Sequence, residues 1–130
     1  GNEQTQQMLR YSNDGFPKVV DYLYDHFDEF KLLLTSGENS VYQEFIHRVV
    51  ELDTECTAKY IEASGNDAIT SGRLTPELNH LLSSAFYTGM FEVIIHDMPK
   101  AQALEHIRKM RRFYTAGWQT IFSTDGGDVV

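Results

Sequence analysis

Ala85-Phe86-Tyr87-Thr88-Gly89-Met90-Phe91-Glu92-Val93-Ile94-Ile95 is apolar nearly all the way round when wound at 3.6 residues per turn. A helix of that kind must be covered on several sides, so the rest of the chain has to supply partners for it. Its start is marked by Thr75-Pro76-Glu77: a capping hydroxyl, a proline suited to the first turn, and an acid on the positive end of the helix dipole. The run is expected to end near His96, where Met98-Pro99 breaks it.

Beyond Pro99 the apolar positions Ala101, Leu104, Ile107, Met110, Phe113, Tyr114, Gly117, Trp118, Ile121 and Phe122 span two faces of a further helix. Gly89 and Gly117 sit in helix interiors, where each costs about 1 kcal/mol relative to alanine, which predicts close backbone approach at a crossing. Upstream, Ser40 to Ala63 reads as a helix with a Ser40-to-Gln43 capping box. Its buried stripe is expected at Tyr42, Phe45, Val49, Leu52, Cys56, Tyr60 and Ala63. The first helix, Phe16 to Leu34, carries Phe16, Val20, Leu23, Phe27, Phe30 and Leu34, with Asp14 as cap, Pro17 in the first turn and Gly37 as stop. Ser64-Gly65-Asn66-Asp67 and Ser71-Gly72 form the longest connection. The reading is an all-α fold of four to five long helices in an antiparallel bundle, over 16–122. Residues 1–15 are expected to be a linker or frayed helix end and 123–130 a disordered tail.

At 130 residues and 42% hydrophobic content, one domain can bury its own core. The net charge of -8 argues against direct binding to nucleic acid, whose affinity is dominated by basic contacts. Cys56 has no partner for a disulfide and is expected to be a small buried residue in a reducing cytoplasm. No apolar run approaches the roughly 18 residues of a membrane span. The chain opens on Gly1-Asn2 rather than methionine, as either processing or a cloned fragment that lacks an N-terminal portion would give.

Candidate chemistry is sparse. Glu44 to His47 and Glu77 to His80 share the Glu-x-x-His spacing of di-iron bundles. With antiparallel neighbours, however, His80 is expected about 20 Å or more from His47. Glu92 and His96 share a face at i, i+4, a spacing for a hydrogen bond or a metal, and a helical metalloenzyme using Glu44, His47, Glu92 or His96 is the alternative reading. Arg108, Lys109, Arg111 and Arg112 read as a solvated face or intersubunit ion pairs. The inward aromatic and flexible residues Phe27, Phe30, Phe45, Tyr60, Phe86, Tyr87, Met90 and Trp118 suit either core packing or an apolar pocket.

Phe91-Glu92-Val93-Ile94-Ile95-His96-Asp97-Met98, Ala103-Leu104 and Phe113-Tyr114-Thr115-Ala116-Gly117-Trp118 resemble the C-terminal regulatory domain of TetR-family transcriptional repressors. Phe27-Asp28-Glu29-Phe30-Lys31-Leu32-Leu33-Leu34 and Tyr42-Gln43-Glu44-Phe45 are similar to its earlier part. The resemblance implies a cytoplasmic homodimer, its last two helices pairing with those of a second copy in a four-helix interface. It also implies a small apolar or amphipathic effector in the helical core, no catalytic role, and DNA contact only through an N-terminal helix-turn-helix that this chain lacks. Helical phase assigns Phe27, Phe45, Val49, Tyr60, Phe86, Tyr87 and Met90 to the effector pocket. It assigns Phe91, Ile95, Met110, Phe113, Gly117 and Ile121 to the subunit interface. No metal or cofactor is called for. A purely structural oligomerisation module is a further alternative.

Overall fold

A computed structural model describes residues 17–36 and 39–123, with the side chains of 39 and 40 left aside. The linker at 1–15, the Asp14 cap, Phe16, the Gly37 stop, the Ser40 cap and the tail beyond Ser123 lie outside what is described. The chain forms an all-helical bundle: α1 (17–25), α2 (Phe27–Thr35), α3 (Asn39–Ser64), α4 (Pro76–Ile95) and α5 (Lys100–Phe122). The first amphipathic stretch is two helices rather than one. His26 leaves helical geometry at φ -117°, ψ 35°, although Phe30 N still donates to its carbonyl. The bend lets both pieces reach the α4–α5 corner: Tyr24 Oη donates to Met98 O at 2.7 Å, and Lys31 Nζ to Ile95 O at 2.8 Å.

Helix α4 is packed against α2, α3 and α5. Its start is fixed as the residues dictate, with Thr75 accepting from Leu78 N and Pro76 in the first turn. At its end, Asp97 N donates to Ile94 O and Met98 N to Val93 O, a Schellman arrangement. Asp97 adopts the left-handed conformation that this motif needs, at φ 56°. Its carboxylate pairs with Lys31 Nζ at 2.8 Å.

Two apolar clusters result. The larger joins Val20, Leu23 and Leu34 to Met90, Phe91, Val93 and Ile94 and to Ala103 and Ile107. The smaller gathers Ile61, Ala68 and Leu74 with Tyr60, Leu78, Trp118, Ile121 and Phe122. The connection 65–75 is part of this second cluster. Gly65 and Gly72 take positive φ, which turns the segment back and buries Ala68 and Leu74. Asn66 Nδ2 donates to Phe122 O, and Arg73 Nε to Ile121 O, tying it to the end of α5.

The buried seam of α3 is turned by about one position from the stripe expected. Val50, Thr57 and Ile61 are buried, whereas Leu52, Cys56 and Ala63 are exposed. The two stripes have the same spacing, and the one that turns inward runs along 46, 50, 53, 57 and 61, with Val50, Thr57 and Ile61 buried and Asp53 half-buried on it. The glycine expectation also changes. A Cβ at Gly89 would meet only the flexible Met110 Cε at 3.0 Å, and one at Gly117 would meet nothing within 4 Å. Neither marks a backbone crossing within the chain.

Ile94 is fully buried where both halves of the bundle converge. Ile94→Ala is expected to lower the unfolding free energy by about 2–5 kcal/mol in urea titration. Leu32→Ala, on an exposed side chain, is expected to stay within about 0.5 kcal/mol of the parent.

Candidate functional site

The turned seam of α3 places an acid between two helices. Asp53 Oδ2 accepts from Ser83 Oγ at 2.7 Å, and its Oδ1 accepts from Tyr87 Oη at 3.3 Å. Ser83 and Tyr87 are one turn apart on α4, so a single carboxylate on α3 serves both. Arg111 on α5 approaches the same node, and burial pulls its guanidinium below its usual pKa while the nearby Tyr87 opposes that shift. Burial pushes the Tyr87 hydroxyl well above the usual tyrosine value, and the neighbouring Asp53 charge and hydrogen bond add to the effect. A neutral phenol donating to a carboxylate is the outcome. This is the polar junction of the bundle, drawing on α3, α4 and α5.

The residues assigned to an effector pocket divide. Phe27, Phe45, Phe86, Tyr87 and Met90 all belong to the larger cluster, with the Phe45 and Phe91 rings 5.4 Å apart and the Phe86 and Tyr87 rings 5.3 Å apart. Tyr60 lies with the smaller cluster, beside Phe122 at 6.5 Å. Val49 is half-buried on α3. The interface residues divide as well. Phe91 is buried within the chain, against Phe45, and Ile95 packs on the same cluster. Met110 reaches toward Gly89, and Ile121 packs on the second cluster. Phe113 and Gly117 are the two that face outward, Phe113 being 77% exposed.

His47 and His80 lie much closer than the antiparallel estimate, with ring centroids 6.4 Å apart. The estimate set the first turn of α4 against the last turn of α3. The connection 65–75 instead runs back along α3 before α4 begins, so that Asn79 Nδ2 donates to Thr54 O. Among the described residues no group of three or more His, Cys, Asp or Glu side chains is placed to hold a metal ion. Glu92 and His96 pair with each other, Oε2 to Nε2 at 2.7 Å. Of the basic group on α5, Lys109 pairs with Glu105 within the helix at 3.3 Å. The Asp53 junction escaped the sequence reading. The signal that could have found it is the i, i+4 pair Ser83 and Tyr87, polar groups on one face of α4 that require a partner when buried.

No family model, curated protein or solved structure matches the chain. No helix among the described residues is long and apolar enough to cross a membrane. The fold and the junction define an all-α bundle with a hydrogen-bonded acid at its helix interface.

The Tyr87 shift fixes a sign for pH dependence. Its folded pKa is raised, so above the ordinary tyrosine value near 10 the folded chain holds more protons than the unfolded one. The stabilisation is complete below about pH 10 and is lost as pH rises beyond it. Tyr87→Phe is therefore expected to flatten the fall in thermal midpoint above pH 10, and ultraviolet titration of the folded parent should show one more late-ionising tyrosine than the variant.

Proposed function

We propose that the chain is a non-catalytic, homodimerising regulatory module of the kind that the TetR resemblance suggests. It would respond to a small apolar or amphipathic effector in the cytoplasm and contact DNA only through an N-terminal helix-turn-helix outside this sequence. The observation that carries the self-association is the outer face of α5, where Phe113 stands 77% exposed and Gly117 leaves open space one turn further on. Burying a phenylalanine is worth roughly 1.5–3 kcal/mol, and a glycine step lets a second helix approach closely. Helix α4 adds Leu81, 63% exposed, and Ala85 on its own solvent side.

This reading moves the subunit contact off Phe91, Ile95 and Ile121, which pack in the chain's own clusters, and off Met110, which lies against Gly89, and onto the outer faces of the last two helices. Effector response would act on the seam between α3 and α4, where the Asp53 hydrogen bonds to Ser83 and Tyr87 fix one register of the two helices. A ligand that favoured a second register would shift the distance between the N-terminal ends of two copies by differential affinity alone. The same reading gives the acidic chain a reason to leave DNA to another segment.

Phe113→Glu and Gly117→Glu are expected to sediment as monomers with unchanged helical content, while the parent sediments as a dimer. A dimer that survives both substitutions, or a monomeric parent, removes this face from the interface.

A further inference from the structure

A groove of about 230 Å³ opens where the connection 65–75 meets α3 and the start of α4, lined by Thr54, Glu55, Ala58, Ile69, Leu74, Thr75, Pro76 and Asn79. Its apolar part comes from Ala58, Ile69, Leu74 and Pro76. Its polar part is dominated by acceptors. Asn79 is 5% exposed, and its Nδ2 is spent on Thr54 O at 3.2 Å, while its Oδ1 is buried with no hydrogen-bond partner. Exchanging the amide's two ends would set oxygen against the Thr54 carbonyl, so the orphan is the acceptor. A buried acceptor without a donor costs about 1–3 kcal/mol, which a ligand that brings the donor would recover.

The remaining groups select the ligand's sign. In the first turn of α4 Leu78 N donates to Thr75 Oγ1, Asn79 N to Thr75 O, and Pro76 has none, which leaves that helix end a weak anion site. Glu55 lines the groove with a carboxylate, Glu77 stands in the same turn of α4, and Thr54 donates its hydroxyl proton to Glu51 O, leaving a lone pair. An anion would meet the Glu55 side chain and few donors, whereas an N–H group would meet acceptors. We infer that this groove binds a small amphipathic amine, its ammonium directed at Asn79 Oδ1 and Glu55 and its apolar body against Ile69, Leu74 and Pro76. The site involves none of the residues assigned to self-association, so it stands or falls apart from that reading.

Phenethylammonium, titrated into the full chain and followed by calorimetry and by amide chemical-shift changes, is the probe, with phenylpropionate as the anion of similar shape. The expected result is saturable binding of the amine with shifts centred on 54–58 and 69–79, and no saturation by the carboxylate. Asn79→Leu removes the orphan acceptor and should weaken the amine at least about tenfold, as loss of a hydrogen bond to a charged group does. Ile69→Trp, on a partly exposed side chain, fills the groove without disturbing the core and should abolish binding even if Asn79→Leu fails to fold. Amine binding equal in the parent and Ile69→Trp, equal saturation by the carboxylate, shifts confined to other surfaces, or no binding at all would overturn the assignment.

Discussion

Covering α4 is the constraint on which the remainder of the structure depends. Met90, Phe91, Val93 and Ile94 are all nearly removed from solvent, and they occupy more than one face of the helix. One neighbour cannot do that. The α1–α2 pair supplies Val20, Leu23 and Leu34, α5 supplies Ala103 and Ile107, and α3 lies along α4 from Asn79 to Phe91. Each helix is placed by the apolar surface it shields, at roughly 25 cal/mol per Å² removed from water.

The polar contacts then fix details that apolar burial leaves loose. At the α4–α5 corner, Lys31 bonds both the Ile95 carbonyl and the Asp97 carboxylate, and Tyr24 takes the Met98 carbonyl. These contacts satisfy or neutralise groups around a residue held in the left-handed conformation, which a non-glycine residue adopts only where its surroundings require it. Inside the bundle, Asp53 plays the matching role by setting the register of α3 against α4. The exposed ion pairs, such as Lys109 with Glu105, are individually worth little and decide no part of the fold. The proposed regulatory role would draw on this same division, with an apolar core to hold the helices together and a hydrogen-bonded seam on which a ligand could act.

Much of the architecture was legible because its signals are local. Thr75-Pro76 and Met98-Pro99 mark helix boundaries by backbone chemistry that does not depend on neighbours, and α4 begins and ends within a residue of where they place it. The rotation of α3 was not legible. Leu52 and Cys56 are as apolar as Val50 and Ile61, and two stripes one position apart differ only in which one another helix covers. The same ambiguity placed Phe91 on an outer face and hid Asp53. His47 and His80 were separated by an assumption about how eleven residues of connection return, a matter of three-dimensional path rather than of sequence spacing.

Composition and pattern by themselves determined an all-helical chain, the boundaries of α3, α4 and α5 and the need to surround α4, because capping, proline geometry and 3.6-residue periodicity act over one or two turns. Only the tertiary structure decided the break at His26, the burial of the 65–75 connection, the Asp53 junction and the groove with its orphaned Asn79 oxygen. Each of those depends on which faces meet, and the energy that selects among rotations of an amphipathic helix comes from contacts between residues dozens of positions apart.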